Sequence, residues 1–317
     1  MKVRLVFIKE TCAQLFAFSW QKYAQLASLP KGNDKAEARN CPNLPCLMKD
    51  WSEILNANEF PVAWEIILQQ RVPIYLSLLE PDRSELRSYI QWFIGAKRFE
   101  GCAGLVVTDE IRVTVAAQAC LLLLHRDTPC YERLRSIHVY PGTSLAPGSS
   151  VSGESWQLGI VVLTWDSVRR GAADPFDGDN LVLHEFAHQL DQEDGQSDGI
   201  PLLERGRASA ERFGLYTSWA RILSAEFEAL KRRSKHGRKS VMDSYGSQNP
   251  AEFFAVATEC FFEKPRQLAK KHAELYAELK QFYRQDPATW HCVPLKNAKQ
   301  TFRPTKARRR PRTKKVS

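Results

Sequence analysis

The pentapeptide His184-Glu185-Phe186-Ala187-His188 places two imidazoles and one carboxylate where hydrolytic metal chemistry needs them. On a helix, residues four apart stand one above the other, so His184 and His188 project from one face and can hold a single ion through neutral ring nitrogens. Glu185 is rotated by about 100° from His184, close enough to reach a water on that ion without itself becoming a ligand. Zinc lowers the pKa of such a water to about 7, and a neighbouring carboxylate can take its proton as the water attacks a carbonyl. The bland alternative is an ordinary amphipathic helix whose two histidines happen to align.

The flanking sequence opposes that alternative. Leu181, Leu183, Phe186, Ala187 and Leu190 leave few polar positions, so the pattern predicts a buried helix, and buried imidazoles need partners. Asp179 or Asn180 fits the N-cap and Gly195 follows as a stop signal. A catalytic zinc usually takes three protein ligands, so one more must come from a separate element. Asn249-Pro250-Ala251-Glu252 reads as the start of a second apolar helix, with Asn249 as N-cap and Pro250 at the first helical position. Glu252 on that helix is a candidate ligand, although the same spacing also makes a capping box. Glu259, two turns along the same face, competes with it, either as ligand or as the carboxylate that orients a ligand imidazole. Asp191 fits either a support for the imidazoles or the polar end of its helix.

These residues need a scaffold. Apolar residues recur at helical spacing over 61–79 and 85–97, and 110–124 is apolar nearly all round behind a capping Asp109. Leu105–Thr108, Ser136–Tyr140 and Ile160–Trp165 read as strands. Further helices are expected over about 208–233 and 265–283, the first running into a basic stretch that ends at Lys239. Strands and helices without regular alternation indicate α+β, mostly helical with a small sheet. The expected organisation is an N-terminal extension over 1–50, one domain over 51–292 and a basic tail over 293–317.

The net charge of +9 belongs to that tail: ten of the 45 Lys and Arg lie after Cys292, leaving 35 against 36 acidic residues. Such a tail suits weak, salt-sensitive contact with nucleic acid, whereas the near-neutral body excludes a broad basic face. No apolar run approaches the roughly 18 residues of a membrane span. Lys9 and Glu10 interrupt the apolar start too early for a secretory signal. The eight cysteines show no C-x-x-C spacing. Reduced thiols and a cytoplasmic location are therefore expected.

Several segments together carry a resemblance: Leu183 to Asp191, Asp198-Gly199-Ile200-Pro201, Tyr245 to Val256, Phe261-Phe262, Ile137 to Pro141 and Gly159 to Trp165. In that order they resemble the Mlc titration factor A family of bacterial zinc-dependent peptidases, although relatives often carry Asp where this chain has Asn249. The resemblance implies a single zincin-like domain. It implies Zn2+ on His184, His188 and Glu252, Glu185 as the catalytic carboxylate, and Tyr245 as an active-site tyrosine. A phenol there could donate to the tetrahedral oxyanion of peptide hydrolysis. It also implies peptide or protein substrates, aminopeptidase-type action on small ones, and binding to a transcriptional repressor of sugar uptake. Two other classes compete: a non-catalytic protein that sequesters a regulator around a structural zinc, and a weak nucleic-acid binder acting through the tail. An intact Glu185 opposes the first, since a purely structural site needs only ligands.

Overall fold

The computed structural model describes residues 59–126, 131–143, 159–203 and 209–291. The expected extension over 1–50 and the tail over 293–317 fall outside them.

The chain opens with α1 (Val62–Arg71) and α2 (Pro73–Ser77). The sequence suggested one helix here. It breaks at Val72, φ −126° and ψ 79°, because Pro73 has no N–H to donate and crowds the residue before it out of helical geometry. Next, α3 (Glu80–Ala96) begins five residues earlier than its periodicity suggested, with Pro81 in the first turn, where a missing donor costs nothing.

A three-stranded parallel sheet follows, in the order β1 (Arg98–Gly101), β2 (Ser136–Tyr140), β3 (Ile160–Thr164). The register pairs Phe99 with Ile137 and Ile137 with Val161. The strand expected at Leu105–Thr108 is instead a loop. A turn from Cys102 to Leu105, with Ala103 and Gly104 at positive φ, ends pairing before it. Thr108 rather than Asp109 then caps α4 (Asp109–Leu121), its hydroxyl accepting from the Ile111 N–H. Every residue of α4 from Val113 to Leu121 is buried, as its continuous apolar surface suggested.

β3 passes directly into α5 (Trp165–Ala173), which the sequence reading missed by extending the strand to Trp165. The motif helix α6 (Leu181–Asp191) comes next, then α7 (Ser209–Lys235) and α8 (Pro250–Glu263). The last expected helix is two, α9 (Pro265–Lys271) and α10 (Ala273–Tyr283), interrupted at His272. No described helix is long and apolar enough to cross a membrane.

This arrangement fixes α6 at the centre. Its inner face sends Phe186 against Tyr131 and Phe93, with ring centroids 4.9 and 5.7 Å away. Burying one such ring stabilises the fold by about 1.5–3 kcal/mol. α8 packs along α6, so the two helices that carry the candidate ligands are neighbours.

Candidate metal centre

Helical spacing brings the His184 and His188 Nε2 atoms to 3.2 Å from each other. α8 delivers the Glu252 carboxylate to the same point, with Oε2 3.0 Å from His184 Nε2 and 3.4 Å from His188 Nε2. His188 is fully buried, and the carboxylate is mostly so. Asn249 caps α8 by accepting the Glu252 N–H at 2.9 Å, which fixes the helix start while the Glu252 side chain lies against the imidazoles. Glu252, the favoured ligand in the sequence, and Glu259, its competitor, thus take different places.

Three converging donors of this kind fit a small divalent ion. Tetrahedral bonds of about 2.0–2.1 Å require donors about 3.3 Å apart, close to all three separations observed. Among the described residues, these three form the group able to hold an ion. With protein groups alone, burial works against the charged forms, but the hydrogen bonds outweigh it. His184 is held at about 10 by Glu252 and Glu259, and Glu252 at about 2 by His184 and His188. The cluster therefore prefers one positive charge at its centre, which either a proton or a cation supplies.

Glu259 occupies the far side of the ring, its Oε1 2.8 Å from His184 Nδ1. With Nδ1 carrying the hydrogen, Nε2 keeps its lone pair toward Glu252 and His188. Burial pushes the Glu259 carboxyl up, against the pull of its bonds from His184 and from the Asn180 N–H, the latter at 2.6 Å.

Two further groups complete the site. Glu185 and Tyr245 line the same cleft as His184, a cavity of about 680 Å³. Tyr245 sits in a 3-10 turn, Ser244–Ser247, whose Gly246 is pressed between α7 and α8. A Cβ there would come within 3.1 Å of Val256 and 3.3 Å of Leu230. The ring of Tyr245 lies 5.8 Å from that of His184, and burial together with Glu252 and Glu185 pushes its phenol up, so the O–H is retained at neutral pH. Among the described thiols, burial pushes Cys260 up to about 12 and Cys120 well above its ordinary value.

Residues 47–284 match the family model described as glucose-regulated metallo-peptidase M90. The chain belongs to this M90 family. A protein of Synechocystis sp., named only as uncharacterized, is 38% identical over 253 residues, 75% of this chain and 90% of that one. Proteins named Mlc titration factor A from Yersinia pestis and Yersinia pseudotuberculosis are 28% identical over 257 residues, 76% of this chain and 86% of theirs. The family resemblance read from the sequence is thereby established, and an M90 metallo-peptidase implies a bound metal ion.

In this M90 chain Asp191 and Asn180, both singled out in the sequence, support the centre through partners the sequence did not indicate. Asp191, fully buried, accepts the Gly199 N–H at 3.0 Å. Gly199, at φ +76°, lies so close to α8 that a Cβ would meet the Pro250 carbonyl oxygen at 2.5 Å. The end of α6 is thereby braced against the start of α8. At the other end, Asn180 caps α6 with its side-chain oxygen on the Val182 and Leu183 N–H groups. Its amide nitrogen donates to Gln118 and to Glu263, each at 2.8 Å. Burial pushes the Glu263 carboxyl well above its ordinary value. The available signal was the polar side chains of Gln118 and Glu263 within buried stretches of their helices. Asn180→Ala removes the cap and strands both acceptors, so unfolding in urea should show a loss of about 2–4 kcal/mol. A loss under about 0.5 kcal/mol, the scale of an ordinary surface change, would contradict the network's importance.

Proposed function

We propose that this M90 chain is a single-zinc peptidase of the zincin type, with His184, His188 and Glu252 as ligands. The observation that supports this most is the convergence of those three donors beside Glu185 and Tyr245 in one cleft. Two imidazoles and one carboxylate suit zinc, whose catalytic sites take three such ligands and leave one position open. When bound, zinc supplies a Lewis acid for the scissile carbonyl and makes water acidic enough to deprotonate near neutral pH.

The chain's own residues do the rest. Glu185 takes a proton from the attacking water and later delivers it to the departing amine. The Tyr245 O–H donates to the oxygen on which negative charge develops. Glu259 holds His184 in the tautomer that presents Nε2, and the burial of His188 keeps water off the back of the site. The cleft is open enough for a peptide, and aminopeptidase-type trimming of small peptides in the cytoplasm is the form of the activity we favour from the family resemblance.

A peptide mixture incubated with the zinc-loaded full chain should yield new termini by mass spectrometry. Chelation should stop the cleavage and added zinc restore it. No cleavage of any peptide at full zinc occupancy would remove the peptidase function. Within an active enzyme, Tyr245→Phe should lower kcat about 10²-fold with KM little changed. This is the low end for a lost oxyanion donor, because Tyr245 is 43% exposed. An unchanged kcat would take Tyr245 out of the chemistry.

The name Mlc titration factor A, carried by relatives, favours a second role alongside the first: binding of a regulatory protein, which the resemblance specifies as a transcriptional repressor. Co-purification with such a repressor that persists in Glu185→Gln would separate this role from catalysis, and its absence at micromolar concentrations would remove it.

A further inference from the structure

Between Lys231 and Lys239, seven of nine residues are Lys, Arg or His and none is acidic. Part of this has a local reason, since cations in the last turn of α7 complement the helix dipole. Arg238 and Lys239 lie beyond that turn. The chain reverses at Gly237, φ +60°, and the Arg238 N–H closes back on the Arg233 carbonyl at 2.9 Å. That reversal carries both side chains into the lining of the cleft that holds His184, Glu185 and Tyr245.

The wall is continuous. Every residue from Arg238 to Tyr245 lines the cleft, so the two cations and the active-site phenol share one stretch of backbone. Both cations are exposed, and among the described residues neither makes an ion pair. Of the five acids in the same cleft, Glu259 is bonded to His184, Asp243 accepts the Tyr245 N–H at 2.7 Å, and Asp177 accepts the Asp179 N–H at 3.0 Å with Lys264 nearby. Asp179 and Glu185 complete the five, and among the described residues none of them pairs with Arg238 or Lys239. Two cations without partners, in a concave site of this size, form a receptor for a carboxylate of the substrate.

Resting on the peptidase function above, we propose that the cleft selects peptides carrying a carboxylate near the scissile bond, held by Arg238 and Lys239. The reach is bounded by the wall itself. Six steps of chain lead from Lys239 to Tyr245, at most about 20 Å if fully extended, so the carboxylate lies within about six residues of the cleaved bond. It can be an acidic side chain or a free C-terminus.

The test uses matched peptides with Glu or Gln at single positions on either side of a cleaved bond, each with a free or an amidated C-terminus. For the full chain, kcat/KM should favour the carboxylate form at one or more positions by about tenfold, the worth of one charge-assisted hydrogen bond. Dependence on the terminus alone would identify the C-terminal carboxylate as the group bound. The preference should vanish in R238A/K239A and persist in R232A/R233A, which removes equal charge from outside the cleft. It should also shrink toward one near 1 M salt, where the screening length falls to about 3 Å.

Glu185→Gln protein, titrated with the same fluorescent peptides, gives the selectivity as a ratio of Kd without turnover. Kd values that are equal for the Glu and Gln peptides and also equal for the free and amidated C-termini, or a preference that survives R238A/K239A, overturn the proposal. A binding preference in a protein that cleaves none of the peptides would overturn the peptidase function and leave the carboxylate receptor standing.

Discussion

Replacing Glu185 with Gln is expected to lower peptide turnover by about 10²- to 10⁴-fold, the contribution of a general base, while one zinc per chain remains bound. The side chain lines the cleft with His184 and is not one of the three converging donors, which is the placement a base needs rather than a ligand. Gln keeps the size of Glu and loses only the ability to accept a proton, which makes this the change that isolates the base. Loss of zinc in the variant would recast Glu185 as a ligand. Undiminished turnover at full occupancy would remove it from the mechanism.

Removing Glu252 is expected to do more to the metal than removing Glu259. Glu252 lies within 3.4 Å of both Nε2 atoms, whereas Glu259 meets the opposite nitrogen of His184. Loss of an orienting partner typically weakens metal binding about 10- to 100-fold, so Glu259→Ala should retain measurable zinc after mild dialysis. Glu252→Ala should lose nearly all of it, and the activity with it. The reverse order of zinc retention would assign the third ligand to Glu259.

How the sequence conveyed the site follows from what each signal depends on. The motif helix was legible because its cap, its apolar face and its histidine spacing are all local. Glu252 was favoured but Glu259 stayed in competition with it, since they share one face of α8 and only the packing of α8 on α6 decides which of them meets both imidazoles. Asn180 was visible as a cap, but its ties to Gln118 and Glu263 span more than sixty residues and leave no local trace. β1 was missed because Arg-Phe-Glu-Gly has neither alternation nor β-branched residues; it pairs on one side only and keeps polar side chains at the surface. Leu105 to Thr108 misled for the converse reason, a strand-like composition lying beyond the turn at Ala103 and Gly104, where pairing has ended.

The metal centre itself is tested most directly by anomalous diffraction at the zinc edge on crystals of the zinc-loaded full chain. The expected result is one strong peak bonded at about 2.0–2.2 Å to His184 Nε2, His188 Nε2 and a Glu252 carboxylate oxygen, with Glu259 still on His184 Nδ1. A peak bonded to any other set of residues, or none in protein shown to contain zinc, would contradict the account.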